Sequence, residues 1–202
     1  MSATRPRLQA GERRAAVVEA ALRVFSTGSY SGATTAEIAR EAGVTEPILY
    51  RHFASKRALY LACIEEAWLQ LRRAVEEIVE REEDPSEWPL AVATAAQALR
   101  QRRVVPTHLW IQALSEAGED ADVRRYLRRH FGEVHEFLRD LLRRAQEAGG
   151  IPASRDPDAE AWIAIGIGLL RSVQDRLGGI LSEEDFASIV ASRRRWLAGR
   201  VE

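Results

Sequence analysis

The sequence predicts an all-α fold of about nine helices: an N-terminal three-helix unit with a helix-turn-helix, then a larger C-terminal helical part. Three observations carry that prediction. Apolar residues recur at helical spacing along the chain, no stretch alternates with period two, and glycine and proline punctuation separates the periodic segments. No unit of roughly 20–50 residues repeats, which excludes a solenoid.

The first eleven residues are polar and basic with no apolar centre, so they are not expected to be a secretory signal, and the first ten read as disordered. A helix then begins near Gln9, with Val18, Ala21, Leu22 and Phe25 on one face, and ends before Gly28. Residues 26–33 form a turn-rich connection in which Tyr30 is a packing residue. Thr34 and Glu37 have capping-box spacing, Ile38, Ala39 and Ala42 share a face, and Gly43 stands where a chain leaves a helix left-handed. Thr45 can cap the next helix, and Pro47 is tolerated in its first turn. Ile48, Leu49 and Phe53 are expected in the core. Two short helices joined by a glycine-containing turn make a helix-turn-helix, whose second helix can lie in a DNA major groove.

Ser55 caps a fourth helix running through Leu59, Tyr60, Cys63, Ile64, Ala67 and Leu71 toward Arg81. Further helices are expected at about 86–103, 106–117, 120–148, 157–177 and 182–199. Their breaks fall at Pro106, Gly118, Gly149-Gly150-Ile151-Pro152, Asp156-Pro157 and Gly178-Gly179.

The 202 residues are 46% hydrophobic and 29% charged, as in an ordinary soluble globular protein. The longest apolar run, Ala161 to Leu170, is ten residues, too short for a membrane span. Cys63 is the only cysteine, which excludes an internal disulfide and a cysteine-built zinc site and suits a cytoplasmic location. The net charge of −1 hides an asymmetry: residues 1–57 hold nine basic and five acidic side chains, the remainder 20 and 25. A basic first quarter suits phosphate contact.

Residues 12–65 resemble the DNA-binding domain of the TetR (tetracycline repressor) family of bacterial regulators. The resemblance rests on Ala20-Ala21 through Phe25, Thr34 to Ala39, Ala42-Gly43-Val44, and Ile48 to Phe53 followed by Ser55-Lys56. It implies residues 1–56 as the DNA-binding domain and 57–202 as an effector-binding and dimerisation domain. The implied function is that of a cytoplasmic homodimeric repressor binding a palindromic operator on double-stranded DNA. A small apolar or amphipathic effector would release it, with no cofactor, metal or membrane partner.

Thr35 and Thr45 present hydroxyls and backbone donors at two helix starts, which suits a phosphate. Tyr50, His52 and Lys56, the sole lysine, match family positions that clamp the DNA backbone. Glu46, Pro47 and Arg51 match the base-reading positions. Arg51 can pair with guanine and Pro47 can touch a thymine methyl; Glu46 either accepts from a cytosine amino group or only favours the helix start. Ala36 departs from family members that place a longer side chain there.

By the same resemblance the middle helices enclose an effector pocket, with Trp68, Trp88, His108, Trp110, Phe131, Phe137 and Trp162 as candidate lining. Ordinary core packing of these aromatics is the competing reading. The last two helices are the dimer candidates, through Ile165, Gly168, Leu169, Ser172, Phe186, Ile189, Val190, Trp196 and Leu197, with own-chain core as the alternative. An enzyme is disfavoured. His130 and His135 stand five apart, not the four that puts two ligands on one helical face, and read as surface polar residues. The sequence also has no phosphate loop or nucleophile elbow. A regulator governed by a partner protein through its acidic C-terminal part is the remaining alternative.

Overall fold

Nine helices and no strand are present among the described residues of the computed structural model, which are 10–28, 30–101 and 108–200. They are α1 (Ala10–Thr27), α2 (Thr35–Glu41), α3 (Glu46–His52), α4 (Lys56–Arg81), α5 (Trp88–Gln101), α6 (His108–Glu119), α7 (Ala121–Glu147), α8 (Pro157–Leu177) and α9 (Glu183–Leu197). The expected order and number hold, and, apart from the end expected at 103 and the start expected at 106, which lie outside the described residues, the helix ends fall within two residues of expectation. The expectations for residues 1–9 and for Pro106 lie outside the described residues.

The chain divides into two compact units, Met1–Ala67 and Trp68–Glu202, with α4 continuous through the division. In the first, Val17, Ala20, Ala21 and Phe25 of α1, Ile38 of α2, Leu49 of α3 and Leu59, Tyr60 and Ile64 of α4 are buried. Phe25, Tyr30 and Tyr60 form an aromatic trio, the closest ring centroids 4.7 Å apart between Tyr30 and Tyr60, so Tyr30 packs as expected. The α2–α3 turn follows from its residues. Thr34 Oγ1 accepts from the Glu37 amide at 3.1 Å, and Gly43 closes the helix at φ +66. The Val44 and Gly43 amides return to the Ala39 and Arg40 carbonyls at 2.9 and 3.1 Å, the pattern that only a left-handed residue allows.

In the second unit, α7 is the spine. Its buried stripe runs through Val123, Leu127, His130, Leu138, Leu141 and Ala145. Val75 and Val79 of α4 and Ala91 and Ala95 of α5 pack on Leu141, and Ile151 and Ala161 on Leu138, Leu142 and Ala145. This corrects the reading of the two histidines. His130 is 1% and His135 7% exposed, because both lie on the apolar stripe, and the arginine-rich sequence on either side belongs to the opposite face. His130 Nε2 accepts from Trp110 Nε1 at 3.0 Å, and Tyr126, Trp68, Trp110 and Phe131 surround its ring. His135 Nε2 faces the Asp158 carbonyl at 3.1 Å and stacks on Trp162 at 4.4 Å.

Candidate nucleic-acid interface

Alternation of buried and exposed positions sets which side of α3 can meet a partner. Leu49 is fully buried and Phe53 4% exposed, whereas Thr45, Pro47, Tyr50 and Arg51 are exposed. Pro47, Tyr50 and Arg51 are spaced i, i+3, i+4 and therefore share a face. Ile48 and His52 are half-buried, so Ile48 contributes to the core less than expected. Thr45 is the α3 N-cap residue by its extended backbone and its carbonyl accepts from Ile48 and Leu49 at 2.9 and 3.0 Å, but its side chain makes no capping bond.

Thr35, Glu46 and Lys56 are tied to neighbouring segments. Thr35 Oγ1 donates to Glu46 Oε1 at 2.5 Å and lies 3.2 Å from the Tyr50 hydroxyl, joining the start of α2 to α3. Lys56 is half-buried, its Nζ donating to the Ser31 carbonyl at 3.3 Å and standing 4.7 Å above the Tyr30 ring. Arg23, one of the basic residues of the first quarter, is bound to Glu41 at 2.9 Å and Glu19 at 2.8 Å. Those carboxylates raise its pKa, Glu41 first. The Glu19–Arg23 spacing of four was a legible signal; the Thr35–Glu46 link, eleven residues apart, had none.

Two parts of the chain are similar to known regulators. Residues 17–63, from α1 into α4, match the family model for bacterial regulatory proteins of the tetR family, and residues 103–167 match that for the C-terminal part of BetI-type transcriptional repressors. The transcriptional regulator BetI of Rhizobium meliloti is 32% identical over 115 residues, 57% of this chain and 57% of the relative. The chain thus spans little more than half the length of that relative. A TetR-family regulator structure from Rhodococcus matches with TM-score 0.80 at 22% identity, over 93% of this chain and 99% of that one. AibR, crystallised with isovaleryl coenzyme A and operator DNA, matches with TM-score 0.64 at 22% identity, over 92% and 97%. Residues 17–63 thus carry a TetR-family N-terminal domain.

The predicted effector residues do not all converge. Trp68, Trp110, Phe131 and Phe137 cluster around or beside His130, with Trp68 and Phe137 in edge contact at 5.4 Å. Trp88 instead packs between the α5 and α7 clusters and donates to the Glu82 carbonyl at 3.0 Å. Trp162 is half-exposed against His135, and the His108 side chain lies outside the described residues. A groove of about 460 Å³ opens between α4 and α7, floored by Val75, Val79, Phe137 and Leu141. Of the predicted lining among the described residues, only Phe137 reaches it. Five carboxylates and two arginines, Arg72 and Arg144, rim it.

The dimer candidates are also divided. Ile165 and Leu197 pack against the Leu138–Ala161 cluster of their own chain, and Ser172 is buried, donating to the Gly168 carbonyl at 3.0 Å. Phe186 lies under the Arg171 guanidinium, and Trp196 donates to Glu160 Oε1 at 3.1 Å beneath Arg155. Leu169, Ile189 and Val190 are half-buried and Gly168 is exposed, with open space where a Cβ would stand. Sequence reading missed Leu177 and Ile180, 70% and 50% exposed at the α8–α9 turn. No helix of the described residues is long and apolar enough to cross a membrane.

Proposed function

We propose that this chain is a DNA-binding transcriptional regulator, a homodimeric repressor that grips a palindromic operator in the cytoplasm and is released by a small apolar or amphipathic molecule. The observation that carries the reading is the shared exposed face of Pro47, Tyr50 and Arg51 on α3, backed by buried Leu49. Residues 1–56 read DNA, with Thr35, Thr45, Glu46, Pro47, Tyr50, Arg51, His52 and Lys56 forming the interface. Arg51 supplies the base contact, because an exposed guanidinium can reach a guanine edge with two parallel donors. One short helix specifies few base pairs, so a second copy extends the site to two half-sites about one helical turn apart.

Residues 57–202 bind the second copy and the effector. The open space at Gly168 and the exposed α8–α9 turn favour α8 and α9 as the dimer surface. The apolar floor of the α4–α7 groove, ringed by charge, favours an amphipathic guest. AibR, a structural relative, was crystallised with both a ligand and operator DNA, which supports a ligand-governed DNA binder. The family model that residues 17–63 match is one of regulatory proteins, which favours a regulator over an enzyme. The effector shifts the dimer to a state whose α3 helices no longer match the groove spacing, by its differential affinity for the two states. Selection of duplexes from a random pool, repeated with a panel of small molecules, is expected to return a two-fold symmetric consensus and a compound that abolishes it. Recovery of unrelated sequences in every arm would contradict the proposal.

A further inference from the structure

Donor and acceptor counting in the Thr35–Glu46–Tyr50 chain assigns two of these side chains a task other than phosphate contact. A carboxylate only accepts, so the 2.5 Å contact places the Thr35 hydroxyl hydrogen on Glu46 Oε1. Thr35 Oγ1 then has only lone pairs for Tyr50, and its 3.2 Å contact with the phenol must be donated by the Tyr50 hydroxyl. The order is Tyr50 to Thr35 to Glu46, and both hydroxyl hydrogens are committed. A phosphate oxygen is likewise only an acceptor, so neither hydroxyl can donate to it while the chain persists. Glu46 Oε2, by contrast, has no partner among the described residues.

We propose that Glu46 is a sequence-reading residue of α3 and that Thr35, backed by Tyr50, is its positioning residue. The inference rests on the DNA-binding reading. Thr35 is half-buried and comes from a different helix, so it fixes the Glu46 rotamer before DNA arrives. A carboxylate immobilised in advance loses little entropy on pairing with a cytosine amino group. It also penalises any base that presents an acceptor there, because a negative oxygen is then left facing another one. Discrimination therefore depends on the hydroxyl of a residue that itself touches no base.

The test compares full-length wild type with Thr35→Val, Thr35→Ser, Tyr50→Phe and Glu46→Ala on a set of operators, each changed at one base pair. The operator is that returned by selection, and unchanged helical content and melting temperature establish folding. Glu46→Ala is expected to lose about tenfold discrimination at one base pair per half-site. Thr35→Val loses most of the same discrimination at the same base pair, Thr35→Ser retains it, and Tyr50→Phe loses a smaller part. Thr35→Val combined with Glu46→Ala relaxes that position no further than Glu46→Ala alone. If Thr35→Val weakens every sequence equally while discrimination stays intact, Thr35 is a backbone contact and the proposal is overturned. It is equally overturned if wild type is selective and Glu46→Ala leaves every preference unchanged. Wild type without any preferred sequence would instead sink the DNA-reading proposal itself.

Discussion

Arg51 and Gly150 show how far single residues bear on function and on fold. Arg51 projects from the exposed face of α3 with no ion pair among the described residues. Arg51→Ala is therefore expected to remove about 1–3 kcal/mol of discrimination at one base pair per half-site and to spare the melting temperature. Equal loss on preferred and random duplexes, in a binding titration at several salt concentrations, would remove Arg51 from base reading. Gly150 sits where a Cβ would collide with the Pro85 carbonyl and the Ser86 amide, which are backbone and cannot swing away. Gly150→Ala should destabilise the protein by about 1–3 kcal/mol, read as a lower midpoint in denaturant. Cys63 is fully buried, and burial, followed by the charge of Glu66, pushes its thiol well above the usual range. An aromatic disulfide reagent is expected to label it only at the rate of unfolding; rapid labelling of native protein would contradict the buried placement.

At the scale of elements, α9 depends on its ends. It buries no residue fully, so its start is held by the Ser182–Asp185 capping box and by Arg171, which grips Glu183 at 3.0 and 2.5 Å. Ser182→Ala should cost about 1 kcal/mol, with the loss confined to α9 amides in hydrogen exchange. Bonding to the Arg171 guanidinium holds the Glu183 carboxyl below its ordinary range. A lowered folded pKa means that this contribution is complete above the ordinary carboxylate value and fades as pH falls through the lowered one. Glu183→Gln should accordingly flatten the acid side of the melting-temperature profile and leave its alkaline side unchanged. The helices themselves were legible because their punctuation is local: Thr34, Gly43, Ser55, Asp156-Pro157 and Gly178 each end or start an element by their own chemistry. His130 was misread for the opposite reason. Its neighbours in sequence are arginines, while its neighbours in space, Trp68 and Trp110, come from other helices.

For the whole molecule, the same contrast explains what the sequence withheld. Residues 17–63 carry a motif that resembles a known DNA-binding family, so an expected DNA face could be written residue by residue from that resemblance. The groove between α4 and α7 joins positions some sixty apart, and of the expected lining among the described residues only Phe137 reaches it. The Thr35–Glu46 bond likewise depends on how two helices are placed and not on either sequence segment. Dimerisation is testable at Gly168, where an added Cβ would have open space among the described residues. Gly168→Arg should leave the monomer folded and convert a dimer to monomers in sedimentation, with loss of operator binding. An unchanged dimer would place the two-fold contact elsewhere.

As a reading helix, α3 must distinguish one DNA sequence from another. The most direct measurement is the ratio of dissociation constants for the selected operator and a scrambled duplex of the same length, at physiological salt. A sequence reader should give a ratio of about a thousand or more. A ratio near one, with both affinities falling together as salt rises, would mean that the protein only adheres to phosphate.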